Sequence, residues 1–322
     1  MKKETFSSIL LILMFMLVAN NTLAGNPQNL RIGSGGSKGN YFSMANDIKS
    51  YCAEPLAKTA NLEVLESNAS VANIEGMTKK TYTAGIVQED VLQYYGKHYE
   101  AKVNRNTIKV IAGLHMEVVY VLIPKNFQPK TKEKSLWSKA TSIFSGGDES
   151  PGPINLNILE GQNVAASGGS VISAKALKFF AKVNFNVVDV TDSKDYGDMP
   201  IIMVGGQPYG PVEEKLSSGK YILISLDADS ITTQAPFYFK VAASYNVGGK
   251  SYTANTVGIR ALLVGKSFRK DSRNENMTRL ASCIDKRLVD MADDPETNPN
   301  WQSVYDLNED ANQTNWAYFP LK

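Results

Sequence analysis

The sequence has few of the residues that build catalytic and metal centres. Its 322 residues include only 2 cysteines and 2 histidines, and the histidines, His98 and His115, lie apart in the sequence. No CxxC pair occurs, so a zinc or dithiol motif has no support. Neither histidine lies in a recognisable catalytic context, so a serine-hydrolase triad has no support either. We therefore expect a protein that is not an enzyme and that uses no cofactor and no metal.

Nucleotide-binding motifs are incomplete as well. Lys38 is followed by Gly39 rather than by the Ser or Thr of a P-loop. A G-x-G-x-x-G pattern that begins at Gly33 ends on Lys38 instead of glycine. Positive and negative charges nearly balance, with 34 Lys and Arg against 32 Asp and Glu. This balance gives no reason to expect nucleic acid or an anionic membrane as a partner.

Long apolar runs are scarce too, and the one that stands out is N-terminal. Lys2 and Lys3 precede an unbroken apolar run at residues 9–18, and Ala24 ends a small-residue cleavage pattern. The run is too short to span a bilayer, which takes about 20 residues. The pattern predicts a signal peptide over residues 1–24, cleaved after Ala24, and a periplasmic protein. An uncleaved membrane anchor is the alternative.

The two cysteines lie at distant positions, Cys52 and Cys283. Export implies an oxidising compartment, in which disulfides form and persist. One hypothesis is a single disulfide that joins two helices of the same lobe. Two buried free thiols remain an equal alternative, because free cysteine is among the most buried residue types.

Short β-rich runs alternate with helical periodicity along the rest of the chain. This alternation predicts an α/β fold in which helices flank parallel or mixed sheets. Two separate strands are expected at residues 108–114 and 118–123, and Ser70 is expected to cap a helix. Residues 128–153 interrupt the pattern, because they are rich in Lys, Ser, Gly and Pro. They form either a surface insertion or a partner-binding loop.

The two halves of the chain share one local pattern. A Ser-Gly-Gly-Ser turn lies between a strand and a helix at residues 34–37 and again at residues 167–170. The repeat predicts two lobes with a cleft between them. The first lobe is expected at residues 25–117 and 256–322, and the second at residues 118–255.

The two turns are the strongest indication of a binding site. Glycine lets the backbone approach a ligand closely, and a helix N-terminus presents free N–H groups that favour an anion. In open α/β sheets, ligands bind beyond the carboxyl ends of the strands, where these turns lie. The predicted ligand contacts come from the turns and from the ends of neighbouring strands and helices: Ser34, Gly35, Gly36, Tyr41, Asn73, Gln88, Ser167, Ser170 and Gly206.

Five elements, taken in order, resemble the TAXI group of TRAP-transporter solute receptors. They are the glycine-rich element at residues 33–41, Ala69-Ser70-Val71-Ala72-Asn73, Val87-Gln88-Glu89-Asp90, the turn at residues 167–170, and Gly206-Gln207-Pro208. The sequence departs from the family in having Ala69 where the family has glycine, and in the insertion. It also has no arginine evidently placed to clamp a carboxylate, and Lys38 and Arg260 are only candidates for that role.

This resemblance implies the two-lobed periplasmic binding-protein fold of type II. It further implies a solute-binding protein that delivers glutamate or a related carboxylate to a TRAP-type membrane permease. The partners expected are therefore a small-molecule ligand, such as an amino acid or carboxylate, and that permease. The alternative is a ligand-sensing interaction protein of the same fold that acts with a membrane receptor, without transport.

Overall fold

A computed structural model describes residues 28–130, 152–269, 271, 274–307 and 314–322. The predicted signal peptide and most of the predicted insertion lie outside these residues. Within the described ranges, no helix has the length and apolar character needed to cross a membrane.

The first part of the chain alternates strands and helices as its hydrophobic pattern predicts. Apolar residues at three- and four-residue steps give the longest of these helices a buried face. The elements are β1 (Gln28–Gly33), α1 (Asn40–Leu56), β2 (Ala60–Leu65), α2 (Ala69–Thr78), β3 (Ala84–Gln88), α3 (Glu89–His98) and β4 (Ile108–Pro124).

The rest of the chain repeats the alternation and then returns. A short 3₁₀ turn at Leu156–Leu159 precedes the repeat. The elements that follow are β5 (Asn163–Ala166), α4 (Ser170–Phe180), β6 (Asn186–Asp189), β7 (Ile201–Gly205), α5 (Gly210–Ser217), β8 (Tyr221–Leu223), α6 (Ala228–Gln234), β9 (Tyr238–Val247), β10 (Lys250–Lys266), α7 (Glu275–Asp293) and α8 (Asn300–Leu307).

Strand order shows that the two halves repeat one topology. The hydrogen-bonded path is β2-β1-β3-β10-β4-β7-β5-β6, with β8 on β4 and β9 on β10. In the first half, β1 pairs in parallel with β2 and β3, and antiparallel β10 follows. In the second half, β5 pairs in parallel with β6 and β7, and antiparallel β4 follows. This order confirms the predicted two-lobed α/β fold.

Two strands, β4 and β10, belong to both lobes. Each has 17 residues, which corresponds to about 56 Å of extended chain. In β10, residues 261–265 pair with β3 of the first lobe, whereas residues 250–259 pair with β9 of the second. The prediction of two separate strands at 108–114 and 118–123 was therefore wrong. The chain stays extended between them, and its pairing with β10 shifts register between Arg260 and Leu262 of that strand.

Each lobe has its own hydrophobic core on both faces of its sheet. In the first lobe, α1, α7 and α8 cover one face, and Trp301 of α8 is fully buried there. In the second lobe, α4 and α6 cover one face and α5 the other. These cores support the division into two lobes, while the exact boundaries at 117/118 and 255/256 stay predictions.

The disulfide hypothesis is confirmed. Cys52 of α1 bonds to Cys283 of α7, with 5.9 Å between their Cα atoms. Both helices pack on the same face of the first lobe. The bond therefore fastens the C-terminal part of the chain to the lobe that the N-terminal part begins.

Candidate functional site

A cleft of about 880 Å³ lies between the two lobes, and both Ser-Gly-Gly-Ser turns line it. Its volume lies within the usual range for small-molecule sites. Seven of the nine residues predicted as ligand contacts line this cleft: Gly35, Gly36, Tyr41, Gln88, Ser167, Ser170 and Gly206. The structure brings them together from four separate stretches of the chain. Whether each of them binds a ligand stays a prediction.

The first turn connects β1 to α1. Gly39 N–H donates to Gly36 O at 2.8 Å, which closes the turn just before the helix begins. A Cβ atom on Gly35 would come within 3.1 Å of Tyr41 Cβ, so glycine lets the turn pack against this ring. A Cβ atom on Gly36 would meet no atom of the described residues within 4 Å, because Gly36 faces the open cleft.

Ser34 and Asn73 lie behind the first turn and do not line the cleft. The Ser34 hydroxyl donates to Leu65 O at 2.8 Å, and its side chain is fully buried. The Asn73 amide donates to Ser34 O at 2.7 Å and to Ile86 O at 2.8 Å. The structure therefore places these two side chains within the first lobe, where they hold the turn in place, and their role as direct ligand contacts stays an untested prediction.

The second turn connects β5 to α4. Gly168 has a φ of +56°, a conformation that glycine adopts without strain. Its N–H donates to Thr191 Oγ1 at 2.8 Å. Ser170 Oγ accepts from Val204 N at 3.0 Å, and Ser167 Oγ lies 2.9 Å from Tyr196 Oη. The turn is thereby tied to the strands and loops on either side of it.

Ser70 has a structural role that its predicted capping position did not suggest. Helix α2 begins one residue earlier, at Ala69, and Ser70 lies in its first turn. Ser70 Oγ accepts the backbone N–H of Gln88 at 3.0 Å. This bond fixes the end of β3, from which the Gln88 side chain enters the cleft.

Glu117, at the floor of the cleft, was not identified from the sequence. It comes from β4 where this strand passes between the lobes, and only 8% of the residue is exposed. Its Oε2 accepts from Gln88 Nε2 at 2.5 Å and from Tyr41 Oη at 3.2 Å. The available signal was an acidic residue within the apolar run around residues 108–123, where buried charge needs a reason.

The hydrogen bonds of Gln88 connect the two lobes. Its Nε2 donates to Glu117, while its Oε1 accepts from Ser173 Oγ of α4 at 3.2 Å. The Gln88 side chain is 5% exposed. One amide of the first lobe therefore contacts the shared strand and the second lobe at once.

Burial raises several pKa values around this floor. It raises the pKa of Tyr41 well above the usual range, and the nearby Glu117 carboxylate adds to the effect. Burial also raises the pKa of Asp90 to about 7, although hydrogen bonds from Ser173 and Val91 oppose the rise. Asp90 accepts from Tyr238 Oη of the second lobe at 3.4 Å. A carboxyl group whose ionisation burial disfavours thus lies at the contact between the lobes.

His115 lies beneath the floor, next to Glu117. It is fully buried, and its ring centroid is 5.8 Å from that of Tyr41 in an edge-on arrangement. His115 Nε2 is 3.7 Å from Glu117 Oε1, which is beyond hydrogen-bonding distance. Among the described residues, neither ring nitrogen of His115 has a hydrogen-bond partner.

Lysine side chains line the cleft nearer its opening. They are Lys38 beside the first turn and Lys194 and Lys215 in the second lobe. Lys215 Nζ lies 4.2 Å from the centroid of the Tyr196 ring and 3.4 Å from Glu214 Oε1. Arg260, the other candidate for an anion clamp, lies elsewhere: it is buried in β10 and donates to Leu114 O.

The cleft offers no metal site. Throughout the part of the chain that the structure describes, no group of three or more His, Cys, Asp or Glu side chains could hold a metal ion. What the cleft does offer is backbone N–H groups at two helix starts, lysines, an amide and one carboxylate. These groups are suited to bind a small polar molecule through hydrogen bonds and charge.

Comparisons with known proteins give little beyond the fold. No protein-family model matches the chain, and no curated protein matches it. Among solved structures, a periplasmic sulfonate-binding protein SsuA from Methylobacillus flagellatus KT has 13% identity and a TM-score of 0.46, over 91% of this chain and 79% of that one. The GluR0 ligand-binding core in complex with L-glutamate has 12% identity and a TM-score of 0.41, over 83% and 96%.

A TctC solute-binding protein from Polaromonas is similar at the same level, with 13% identity and a TM-score of 0.43 over 87% of this chain and 88% of that one. Identities and TM-scores this low carry no argument about ligand or partner. The two-lobed α/β fold and the cleft between the lobes therefore rest on the strand order and the lining residues described above.

Proposed function

We propose that this chain is an extracytoplasmic solute-binding protein that captures a small anionic ligand between its two lobes. The observation that supports the proposal most directly is the shared cleft, which the Ser-Gly-Gly-Ser turn of each lobe lines. Each turn precedes a helix, α1 or α4, whose first N–H groups have no partner within the helix and favour an anionic group.

The proposed mechanism is a shift between open and closed populations. A ligand that contacts both lobes gains all its contacts only when the cleft is closed, so binding favours the closed state. The shared strands β4 and β10 are the two connections about which the lobes would move. In this mechanism the protein binds and releases its ligand unchanged, and it is not an enzyme.

Glutamate or a related carboxylate is the proposed ligand class, and a TRAP-type permease is the proposed partner. Both follow from the sequence resemblance to TAXI receptors, which includes the first turn and Gln88. The three cleft lysines add support for an anion, since they outnumber the lining acids Glu117 and Glu214. The predicted signal peptide supports a periplasmic location. A permease gene beside the gene for this chain would support the transport role over a sensory one.

The test is a ligand screen with a matched pair of variants. Purified secreted protein is heated with amino acids and dicarboxylic acids, and a ligand at 100 times its Kd should stabilise the fold by about 2.7 kcal/mol. Gly36→Asp should abolish the stabilisation, because it adds a carboxylate where no atom lies within 4 Å of the new Cβ. Gly152→Asp is the control: among the described residues, a Cβ atom there also meets nothing within 4 Å, and Gly152 does not line the cleft.

Two results would count against the proposal. One is a screen in which no anionic compound raises the melting temperature. The other is equal ligand stabilisation in the Gly36→Asp and Gly152→Asp proteins, which would place the binding site away from the first turn.

A further inference from the structure

Glu117 is the only acid on the cleft floor among the described residues. Glu214 also lines the cleft, but 75% of its side chain is exposed. Glu117 is almost completely buried, yet it still borders the cavity. Burial of an ionised carboxylate is costly unless a cation or enough hydrogen-bond donors compensate it. The donors around Glu117 therefore decide what the cleft accepts.

These donors satisfy only one of the two carboxylate oxygens. Oε2 accepts from Gln88 and Tyr41. Oε1 accepts no hydrogen bond from any described residue, and the nearest basic group, His115 Nε2, is 3.7 Å away. Among the described residues, neither lysine nor arginine forms an ion pair with Glu117. An ionised carboxylate has about four acceptor sites, so Glu117 has unused acceptor capacity.

The charges of the cleft are thus arranged in two parts. Two helix starts and the lysines Lys38, Lys194 and Lys215 favour a negative group. Glu117 on the floor repels a negative group and favours a positively charged N–H donor. A ligand with only negative charge would satisfy the first part and conflict with the second. A ligand that carries both charges satisfies both.

We infer that the ligand is a zwitterion, an amino acid or a compound of similar charge, whose protonated amino group binds Glu117 while its anionic group binds the two turns. This inference rests on the proposed function and narrows its ligand class. Plain dicarboxylates and simple sulfonates would be poor ligands, because they leave Glu117 without a cation. Glu117 is then the residue that sets specificity.

The experiment compares pairs of compounds that differ by one amino group. The pairs are L-glutamate and glutarate, L-aspartate and succinate, and taurine and ethanesulfonate, titrated by calorimetry into the secreted protein. For whichever pair binds, the amino compound should bind at least 10-fold more tightly. Glu117→Gln keeps an oxygen for Gln88 and Tyr41 but removes the charge. It should weaken binding of the amino compound about 10- to 100-fold. Binding of the matching compound without the amino group should stay unchanged or become slightly tighter.

Glu213→Gln is the matched control, since it makes the same change at an exposed position of α5 that does not line the cleft. It should leave the preference within each pair unaltered, because exposed charges are screened by solvent. Should Glu117→Gln not fold, the comparison of the paired compounds on the unmodified protein still tests the inference.

Equal binding within the pairs overturns the inference and leaves the proposed function standing. An equal loss for both members of a pair in Glu117→Gln overturns it as well, because it would mean that Glu117 only positions Gln88 and Tyr41. If no compound in the set binds, the inference is overturned, whereas the proposed function is decided separately by the wider screen of anionic compounds.

Discussion

The contacts of Gln88 lead to a specific prediction about affinity. In Gln88→Ala, Glu117 Oε2 loses the donor that lies 2.5 Å away, and Ser173 Oγ of the second lobe loses its acceptor at 3.2 Å. The first bond involves a carboxylate and the second is neutral. Because Gln88 is 5% exposed, water cannot freely replace either partner.

The size of the effect follows from these two bonds. A hydrogen bond to a charged group contributes about 1.5–3 kcal/mol, and a neutral one about 0.5–1.5 kcal/mol. Since the Ser173 bond joins the lobes, its loss favours opening, and reorientation of Glu117 weakens the cleft floor. Part of the loss also destabilises the protein without ligand. We therefore expect binding to weaken by about 1–3 kcal/mol, or roughly 5- to 150-fold.

The assay is calorimetric titration of Gln88→Ala beside Gln93→Ala. Gln93 is buried to the same degree and bonds to charged groups, Glu89 and Arg105, but it lies outside the cleft. Both variants should lower the melting temperature, and only Gln88→Ala should lower affinity. Equal affinities for the two variants would refute the role assigned to Gln88.

Two further predictions concern stability. Burial raises the pKa of Asp90 from its usual 3.8 to about 7, so between these values the folded protein binds a proton that the unfolded chain releases. The contribution of Asp90 to the free energy of unfolding should fall by about 4 kcal/mol at most as pH rises from about 4 to about 7. Above that pH it should stay constant. Urea unfolding at pH 5 and pH 8 should therefore show a smaller loss in Asp90→Asn than in the wild type; identical losses would contradict the assignment. Replacing Cys52 and Cys283 together with alanine should lower the free energy of unfolding by about 3–5 kcal/mol, because the bond closes a loop over 231 residues. Ligand affinity should not change, and a large change would mean that the first lobe is distorted by the loss of the bond.

The elements that local patterns encode were predictable from the sequence. The helix steps of α1 and the repeated Ser-Gly-Gly-Ser turns depend on residues close together in the chain. They led to the cleft, although the side chains of Ser34 and Asn73 point into the first lobe instead. That orientation depends on hydrogen bonds to Leu65 and Ile86, which are distant in sequence.

Features that depend on strand pairing were missed. β4 was divided in two because polar residues, His115 and Glu117 among them, interrupt its apolar pattern. The sequence does not show that β10 keeps this stretch extended. The strand β9 and the helices α6 and α8 were also missed. For β9 a local signal exists, because Gly248 and Gly249 both have positive φ and form its hairpin turn with β10.

The disulfide between Cys52 and Cys283 changes what a single proteolytic cut does to the chain. Residues 52–283 and the bridge form one closed ring, and the whole second lobe lies within it. If a protease cuts this ring once, for instance at the exposed Gly248–Gly249 turn, the two pieces remain one molecule until a reductant separates them. A nicked protein would therefore keep its size on a non-reducing gel, and both walls of the cleft would stay tethered.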